Sequence, residues 1–332
     1  MELSIIIINY NCGKLICGCL ETIYAGIKNI EFEIIVVDNQ SSDDSKTLVT
    51  NSFPRIRWID MNYNSGFARA NNEGIRQSKG QVVLLINPDT LVNDNAIELC
   101  YHEFIKEDYV ACGVQLLNTD GSPQISGNYA MTGGLNYLLP LPFLGPFIKD
   151  LGNLFKVKAP NIPDSKDRQD VDWINGAFLM VKKYAIDYAG LMDEDFFLYA
   201  EEAEWCSRLK KSGKLCIYGQ YKITHLQGYS SNKTFESKSE GYQNLFDQKG
   251  LQIMLSNFVR IRKEFGEIWF MVILIVYIIE IPIFILGVLL CKIFGTKTYT
   301  TQMIKNYMNN ILYVLNLTPT ILKNKKYFYK VL

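Results

Sequence analysis

A single carboxylate follows an apolar run in the N-terminal part of the sequence. The run, Leu84–Ile86, is followed by Asn87, Pro88 and Asp89. An uninterrupted apolar run is typical of a buried parallel strand, and Pro88 should end it because proline cannot donate to a sheet ladder. Asp89 is therefore expected just beyond the carboxyl end of a strand, where open α/β sheets bind ligands. A carboxylate there suits a divalent cation that also holds a diphosphate; a turn or helix-capping aspartate is the alternative.

Further polar residues follow the other strands predicted in the same part of the chain. The strands are Leu3–Ile8, Glu33–Val37, Ile56–Ile59 and Val82–Ile86, and the polar residues after them include Asn9, Tyr10, Asp38, Asn64 and Asp89. Helices are predicted between the strands, so the sheet should be mainly parallel and these strand ends should share one edge. An acid after the second strand commonly contacts a ribose or a base. Asp38 fits that role, and an ordinary turn aspartate is the alternative.

The composition narrows the class of protein. The 332-residue chain has a formal net charge of zero, which argues against nucleic acid as a main partner. Its length accommodates one large α/β domain and an appendage. The residues after the first strand, Asn9–Lys14, form neither a GxGxxG turn nor a Walker loop, which weakens a dinucleotide-binding hypothesis. A nucleotidyltransferase would need a basic triphosphate loop there, and Lys14 alone makes a poor one.

Four segments, in order, resemble glycosyltransferase family 2 and, within it, a bacterial rhamnosyltransferase-like branch. They are Ser4–Asn11, Ile34–Asn39 with Ser41–Asp43, Asn64–Ala68 with Ala70–Asn72 and Gly74, and Asn87–Thr90. The resemblance implies the GT-A fold, a Rossmann-like α/β domain whose mainly parallel sheet has helices on both faces. A nucleotide-binding half of about 1–117 and an acceptor half of about 118–255 would form this domain, and 256–332 a membrane-associated helical region.

The resemblance also implies a nucleotide-sugar pocket. Tyr10 and Asp38 would contact the base or the ribose. Gly66 and Asn72 would shape the pocket wall near the base. Trp173 and Gly176 come from a segment that resembles the family's entry to the acceptor side. The expected nucleotide-sugar-binding residues are Asn9, Tyr10, Asp38, Asn64, Gly66, Asn72, Asn87, Trp173 and Gly176.

A metal site is implied by two of the segments. Asp89 would be the metal-ligating member of a DxD-like pattern, in which Asn87 occupies the place of the first acid. His225 begins a block that resembles the family's His-x-x-Gly end block, and it would ligate the metal or touch the donor phosphates. The expected cofactor is Mg²⁺ or Mn²⁺. A lone histidine is often structural, which is the alternative for His225, and the polar stretch Ser230–Lys249 is expected to cover the donor site.

A catalytic base is expected at Glu201-Glu202. The family form of this block carries Glu-Asp before a helix, and its Asp is the general base, so Glu202 takes that position and Glu201 is the second candidate. Transfer with inversion is a single displacement in which the acceptor hydroxyl loses its proton as it attacks the anomeric carbon. One base therefore suffices, whereas hydrolases use two carboxylates. Acids are also common in the first turn of ordinary helices, which is the structural alternative.

The C-terminal third predicts contact with a membrane. Ile268–Leu290 is almost wholly apolar and long enough to cross a bilayer. Glu280 and Pro282 lie near its middle, and basic residues flank both ends, so a kinked re-entrant hairpin or two interfacial helices is favoured over one span. A buried helix pair or a homodimer interface is the alternative. The apolar, proline-containing stretch Thr132–Asp164 is either a membrane- or acceptor-facing insertion or a loop packed on the domain.

Taken together, these features predict an inverting, metal-dependent glycosyltransferase on the cytoplasmic face of a bacterial inner membrane. Its expected partners are a nucleotide-sugar donor and a lipid-linked glycan acceptor, and the branch suggests dTDP-rhamnose as donor. A UDP-hexose or UDP-N-acetylhexosamine donor remains open. So does a non-catalytic membrane scaffold, which Asn87 and the Glu202-for-Asp replacement would suit.

Overall fold

The chain divides into two compact units. The computed structural model describes residues 1–226, 232, 234–237, 244–294 and 299–332. Unit 1 comprises Met1–Tyr129, Asn161–Phe197 and Glu201–Ser230, and unit 2 comprises Ala130–Pro160, Leu198–Ala200 and Ser231–Leu332. This division differs from the boundary expected at residue 255, because interior segments of the chain cluster with the C-terminal helices and not with the sheet.

The strands all belong to unit 1. They are β1 (Leu3–Asn9), β2 (Phe32–Asp38), β3 (Arg57–Asp60), β4 (Val82–Ile86), β5 (Thr90–Val92), β6 (Tyr109–Leu117), β7 (Gly127–Asn128), β8 (Asn161–Ile162), β9 (Arg168–Val171), β10 (Trp173–Ile174), β11 (Phe178–Lys182) and β12 (Lys214–His225).

The helices are divided between the units. Unit 1 contains α1 (Gly13–Gly26), α2 (Ser45–Ser52), α3 (Gly66–Gln77), α4 (Ala96–Phe104), α6 (Lys183–Ala189) and α7 (Glu201–Leu209). Unit 2 contains a 3₁₀ helix (Thr132–Leu138), α5 (Leu144–Leu154), α8 (Gln248–Phe265), α9 (Glu267–Ile293) and α10 (Thr301–Leu322).

The large sheet has the strand order β3-β2-β1-β4-β11-β6-β12-β5, with β9 also paired to β12. Its first four strands in this order run parallel, and β6 runs parallel to β12. Antiparallel pairing enters through β11, β5 and β9. A small separate sheet has the order β10-β7-β8. The predicted α/β class is confirmed, and most of its parallel pairs are formed by β1 to β4.

The side chains of β1 alternate between two hydrophobic cores. Ile5 and Ile7 belong to one cluster, and Ile6 and Ile8 to the other, because successive side chains of a strand point to opposite faces. Residues of α1, α2 and α4 fill the first cluster, and residues of α3, α6 and α7 fill the second. Burial of each such side chain contributes roughly 1.5–3 kcal/mol. The end of β1 at Asn9 is therefore held from both faces of the sheet.

The strand that carries His225 is longer than the sequence predicted. The apolar pattern predicts a strand over Leu215–Tyr218, whereas β12 continues through a register shift between Tyr218 and Lys222. Its last residues pair antiparallel with β5, which was not predicted, and His225 is the register partner of Thr90. This pairing brings the end of β12 beside the residues that follow β4.

The long apolar helix of unit 2 is continuous. α9 runs through Pro282 without interruption, so the re-entrant hairpin favoured from the sequence is wrong. A proline in a helix removes one backbone hydrogen bond, and packing of α9 against α8, α10 and the 3₁₀ helix compensates for that loss. Within the part of the chain that the structure describes, α9 is the one helix long and apolar enough to cross a membrane.

The carboxylate in the middle of α9 is buried within unit 2. Glu280 is completely inaccessible to solvent and accepts hydrogen bonds from the backbone N–H groups of Phe143 at 2.7 Å and Leu144 at 3.1 Å. It therefore caps the N-terminus of α5, where a negative charge also interacts well with the helix dipole. Burial raises the pKa of Glu280, and these two hydrogen bonds oppose that rise. The charge that was expected to disfavour membrane insertion thus holds α5 to α9.

Candidate active site

Asn9 and Asp38 meet at the carboxyl edge of the parallel strands. They are register partners on β1 and β2, and Asn9 Nδ2 donates to Asp38 Oδ1 at 2.7 Å and to Ser41 Oγ at 2.9 Å. The Ser41 N–H donates to the other carboxylate oxygen at 2.9 Å. Asp38 is thereby fixed in orientation while its oxygens keep further lone pairs for a ligand hydroxyl. Tyr10, the next residue of the predicted pocket, is half-buried beside this pair.

The loop before α3 is organised by Asn39. Its Oδ1 accepts from the N–H of Ser65 at 2.7 Å, and its Nδ2 donates to Asn64 Oδ1 and to the carbonyl of Gly66, both at 3.2 Å. Gly66 has φ +77°, and a Cβ there would lie 2.2 Å from the carbonyl oxygen of Phe197. Glycine is required by this close approach, which explains the residue that the resemblance placed in the pocket wall.

Asn72 is engaged within the protein. Its Nδ2 donates to the carbonyl of Met192 at 2.9 Å and to Glu194 Oε1 at 3.1 Å, and its Oδ1 accepts from the Met192 N–H at 2.9 Å. Although burial opposes it, hydrogen bonds from Arg76 and Asn72 lower the pKa of Glu194. The Asn72 amide therefore fastens α3 to the segment that precedes α7.

The structure brings Asn87, Asp89 and His225 together. His225 Nε2 lies 3.5 Å from Asp89 Oδ1 and 3.4 Å from Asn87 Nδ2. Asp89 and His225 are both nearly inaccessible to solvent. The Leu226 N–H donates to the Asp89 carbonyl at 2.9 Å, so the backbones as well as the side chains are joined. Residues from two distant strands thus form one cluster.

This cluster fits a cation that is shared with a diphosphate. Among the described residues no group of three or more His, Cys, Asp and Glu side chains lies together, so the protein offers one carboxylate and one imidazole. Mg²⁺ usually takes few protein ligands and completes its coordination with phosphate oxygens and water. The 3.5 Å between Asp89 Oδ1 and His225 Nε2 allows both to reach one ion at ordinary bond lengths of about 2.1 Å. Burial raises the pKa of the neighbouring Cys19 to about 12, so this thiol is protonated at neutral pH.

Gln124 is a member of this site that sequence reasoning missed. Its Oε1 lies 3.0 Å from His225 Nδ1, and its Nε2 donates to the His225 carbonyl at 2.7 Å. Gln124 is 6% exposed. It follows a turn and belongs to none of the segments that resemble the family, so no local pattern marks it.

The candidate base lies at the start of α7. Glu201 begins the helix and is buried, and Glu202 is half-buried. A Cβ placed on Gly176 would lie 3.7 Å from Glu202 Cγ and 3.6 Å from the ring of Phe67, so Gly176 and Glu202, which were predicted separately, are neighbours. The Trp173 indole nitrogen, on β10, is a buried donor without a hydrogen-bond partner among the described residues.

One predicted feature lies partly outside the described residues. Nine of the twenty residues of the polar stretch that was expected to cover the donor site, Ser230–Lys249, fall there, as does Gly228 of the end block.

Comparison with known proteins matches the N-terminal part of the chain. The sequence model described as Glycosyl transferase family 2 matches residues 4–160, the stretch that carries Asn9, Asp38 and Asp89. These residues, just under half of the chain, are similar to glycosyltransferase family 2. This match confirms the resemblance seen in the sequence, and the observed α/β sheet agrees with it.

Two relatives match a larger part of this chain. A Haloferax volcanii protein named low-salt glycan biosynthesis hexosyltransferase Agl10 is 29% identical over 63% of this chain and 62% of its own length. A Mycobacterium tuberculosis protein named N-acetylglucosaminyl-diphospho-decaprenol L-rhamnosyltransferase is 24% identical over 60% of this chain and 68% of its own length. The match therefore spans about three-fifths of the Haloferax protein.

Solved structures similar to this chain have lower sequence identity to it. The crystal structure of Staphylococcus aureus TarS 1–349 aligns with a TM-score of 0.49 at 14% identity, covering 80% of this chain and 74% of that one.

Proposed function

We propose that this chain is an inverting, metal-dependent glycosyltransferase that uses a nucleotide-sugar donor. The observation that carries the proposal is the cluster of Asp89, His225 and Asn87 at the end of β4, on the sheet edge that also carries Asn9 and Asp38. A carboxylate pocket for a ribose and a two-ligand cation site on one edge is the arrangement that a nucleoside diphosphate requires.

The residues have distinct parts in the proposed reaction. Asp38, held by Asn9 and Ser41, binds and orients the nucleoside. Asp89 and His225 would hold Mg²⁺ or Mn²⁺, which supplies charge stabilisation to the departing diphosphate. Glu202 takes the proton from the acceptor hydroxyl as that oxygen bonds to the anomeric carbon and the bond to the diphosphate breaks. A single displacement of this kind inverts the anomeric centre.

The names of the relatives suggest the donor and the acceptor. One relative is named a hexosyltransferase of glycan biosynthesis, and another a rhamnosyltransferase that acts on a decaprenol-linked sugar. We infer a lipid-linked glycan acceptor and a role in cell-surface polysaccharide synthesis, with dTDP-rhamnose as the first donor to test. UDP-hexoses and UDP-N-acetylhexosamines are the second choice.

A membrane surface is the partner that suits unit 2. One face of α9 is apolar and solvent-exposed along its whole length, with side chains 37–79% exposed at Ile268, Met271, Val272, Ile275, Ile278, Ile279, Ile285, Leu286, Leu289, Leu290 and Ile293. This stripe is about 38 Å long at the rise of an α-helix. Glu280 is the one charged residue between Glu267 and Lys292, and it points away from the stripe into unit 2. α5 adds exposed Phe147, Leu151 and Leu154.

The other face of α9 favours attachment in the plane of the membrane over a span. It packs on α8 and α10, which carry Arg260, Arg262, Lys263 and Lys305. A crossing orientation would carry these helices into the bilayer with α9, at about 2.5–3.5 kcal/mol for each charge near its centre. An apolar stripe on a polar helix group is the pattern of interfacial attachment. We infer that both ends of α9 face the cytoplasm, where nucleotide sugars are made.

The test is nucleoside-diphosphate release by the detergent-purified chain, measured over a panel of nucleotide sugars with Mn²⁺ or Mg²⁺ and a polyprenyl-linked acceptor extract. Release should occur with one donor and fall at least about 100-fold in Glu202→Gln, because a positioned base commonly contributes 10²–10⁴-fold. Asp89→Asn should abolish release at ordinary metal concentrations.

The controls separate the alternatives. Glu98→Gln removes a buried carboxylate on α4 that accepts from the backbone of Lys28 and Asn29 and is not one of the proposed site residues, so this variant should retain turnover in the protein that folds. Release that survives Glu202→Gln but is lost in Glu201→Gln would move the base to Glu201. If no donor gives release in the presence of an intact acceptor, the proposed transferase activity is contradicted and the non-catalytic membrane scaffold is the remaining hypothesis.

A further inference from the structure

We propose that Gln124 is a positioning residue that fixes the tautomer of His225, so that the Nε2 lone pair faces Asp89 and is available to a cation. The inference rests on the proposed function for the cation, but the tautomer is a property of the protein alone. It assigns a role to a residue that lies outside the short segments whose sequence resembles the family.

The directions of the hydrogen bonds follow from a chain that starts at a carboxylate. Asp120 can only accept, and Ser122 Oγ donates to its Oδ1 at 2.6 Å. Hydrogen bonds from Ser122 lower the pKa of Asp120, which keeps the carboxylate ionised. Because its proton is committed, Ser122 Oγ is the acceptor for Asn118 Nδ2, at 2.8 Å. Asn118 therefore presents its oxygen, and not its nitrogen, to the next residue.

That next residue is Gln124. Its Nε2 donates to Asn118 Oδ1 and to the His225 carbonyl, each at 2.7 Å. Both acceptors lack a proton to give, so a flipped Gln124 amide would place its oxygen against two oxygens. The amide orientation is therefore determined, and Oε1 is the atom that lies 3.0 Å from His225 Nδ1.

The tautomer of His225 follows from that oxygen. An amide oxygen can only accept, so Nδ1 carries the hydrogen and a neutral imidazole has its lone pair on Nε2. This lone pair lies 3.4 Å from the Asn87 amide nitrogen and 3.5 Å from Asp89 Oδ1. The other tautomer would point an N–H at the Asp89 carboxylate and remove the imidazole from the ligand set. Partners of this kind around ligating histidines commonly affect metal affinity by 10–100-fold.

Histidine NMR tests the tautomer directly, because the chain has only His102 and His225. The chain is labelled with ¹⁵N-histidine, and a His102→Gln variant assigns the two rings. At a pH where the rings are neutral and without metal, His225 should show a protonated Nδ1 and an unprotonated Nε2. In Gln124→Met the preference for this tautomer should be lost.

Mn²⁺ binding, followed by electron paramagnetic resonance of the free ion, gives the second readout. Affinity should fall about 10–100-fold in Gln124→Met. Gln115→Met is the matched control, because Gln115 is a buried glutamine that bonds to the carbonyls of Leu116 and Gln124. Gln115→Met should leave the tautomer preference of His225 unchanged, and the Mn²⁺ affinity of the folded protein should stay within about twofold of the wild-type value.

The outcomes are distinguishable. A wild-type His225 with its hydrogen on Nε2, or an Mn²⁺ affinity unchanged in Gln124→Met, overturns the role of Gln124. The predicted tautomer together with no Mn²⁺ or Mg²⁺ binding, with or without nucleotide, overturns the cation of the proposed function and the purpose assigned to the tautomer. Neither the NMR measurement nor the Mn²⁺-binding measurement requires catalytic activity.

Discussion

Removal of the Glu280 carboxylate should destabilise unit 2 strongly. In Glu280→Ala the backbone N–H groups of Phe143 and Leu144 lose their acceptor, and each unsatisfied buried donor costs about 1–3 kcal/mol. Because both donors are partly buried, the lower half of that range gives a total of about 2–4 kcal/mol. At about 2–4 °C per kcal/mol for a unit of this size, the thermal midpoint should fall by about 4–16 °C.

Glu280→Gln should behave differently from Glu280→Ala. The amide oxygen of the glutamine still accepts one hydrogen bond, but its NH₂ group faces the second backbone N–H. We therefore expect about half of the destabilisation of Glu280→Ala. Circular dichroism of the detergent-solubilised chain measures both variants. Glu267→Ala is the matched control, since this exposed carboxylate on the same helix pairs with Arg262 and surface ion pairs contribute about 0–1 kcal/mol.

The pH dependence provides an independent check. Burial raises the pKa of Glu280 in the folded chain, so the folded state binds this proton more tightly than the unfolded state does. Its contribution to stability is greatest below the unfolded value of about 4.3 and is lost as the pH rises through the folded value. The thermal midpoint of the wild type should therefore decline more steeply over this window than that of Glu280→Gln. Two results together would refute the capping role: the same decline of the thermal midpoint with pH in the wild type and in Glu280→Gln, and a change of less than about 2 °C in the midpoint of Glu280→Ala.

Two further predictions concern the loop before α3 and the attachment of α9. Gly66→Ala should cost about 1–2 kcal/mol for its left-handed backbone, and more because its Cβ would meet the Phe197 carbonyl at 2.2 Å. Gly121→Ala has a similar φ of +82° but open space around the Cβ, so a thermal-denaturation midpoint lowered equally in both would contradict the close approach. For α9, two variants are made in a background without the native half-exposed cysteines: Glu267→Cys and Ile293→Cys. In sealed vesicles, both cysteines should react with an impermeant maleimide that is added on the cytoplasmic side. Labelling of the two cysteines from opposite sides would show that α9 spans the membrane.

The local sequence by itself predicted where the first four strands lie and that they run parallel. The apolar runs, Pro88 after β4 and the polar residues at strand ends predict β1 to β4 and place Asp38 and Asp89 at one edge, because parallel strands connected by helices must all end there. Gly66 was placed in the pocket wall by the resemblance to the family and not by this strand pattern. The match of residues 4–160 to glycosyltransferase family 2 confirmed the resemblance of these segments.

Tertiary structure alone decided which distant residues complete each site. Gln124 and His225 are 101 residues apart, and Glu280 and Phe143 are 137 apart; neither pair has a periodicity or spacing that sequence can express. β12 reached His225 only through a register shift and pairing with β5, an unpredicted edge strand. Glu280 appeared from sequence to be a charge exposed to lipid, because hydropathy counts a side chain without its partner. Its role followed from the burial and hydrogen bonding that only the folded chain provides.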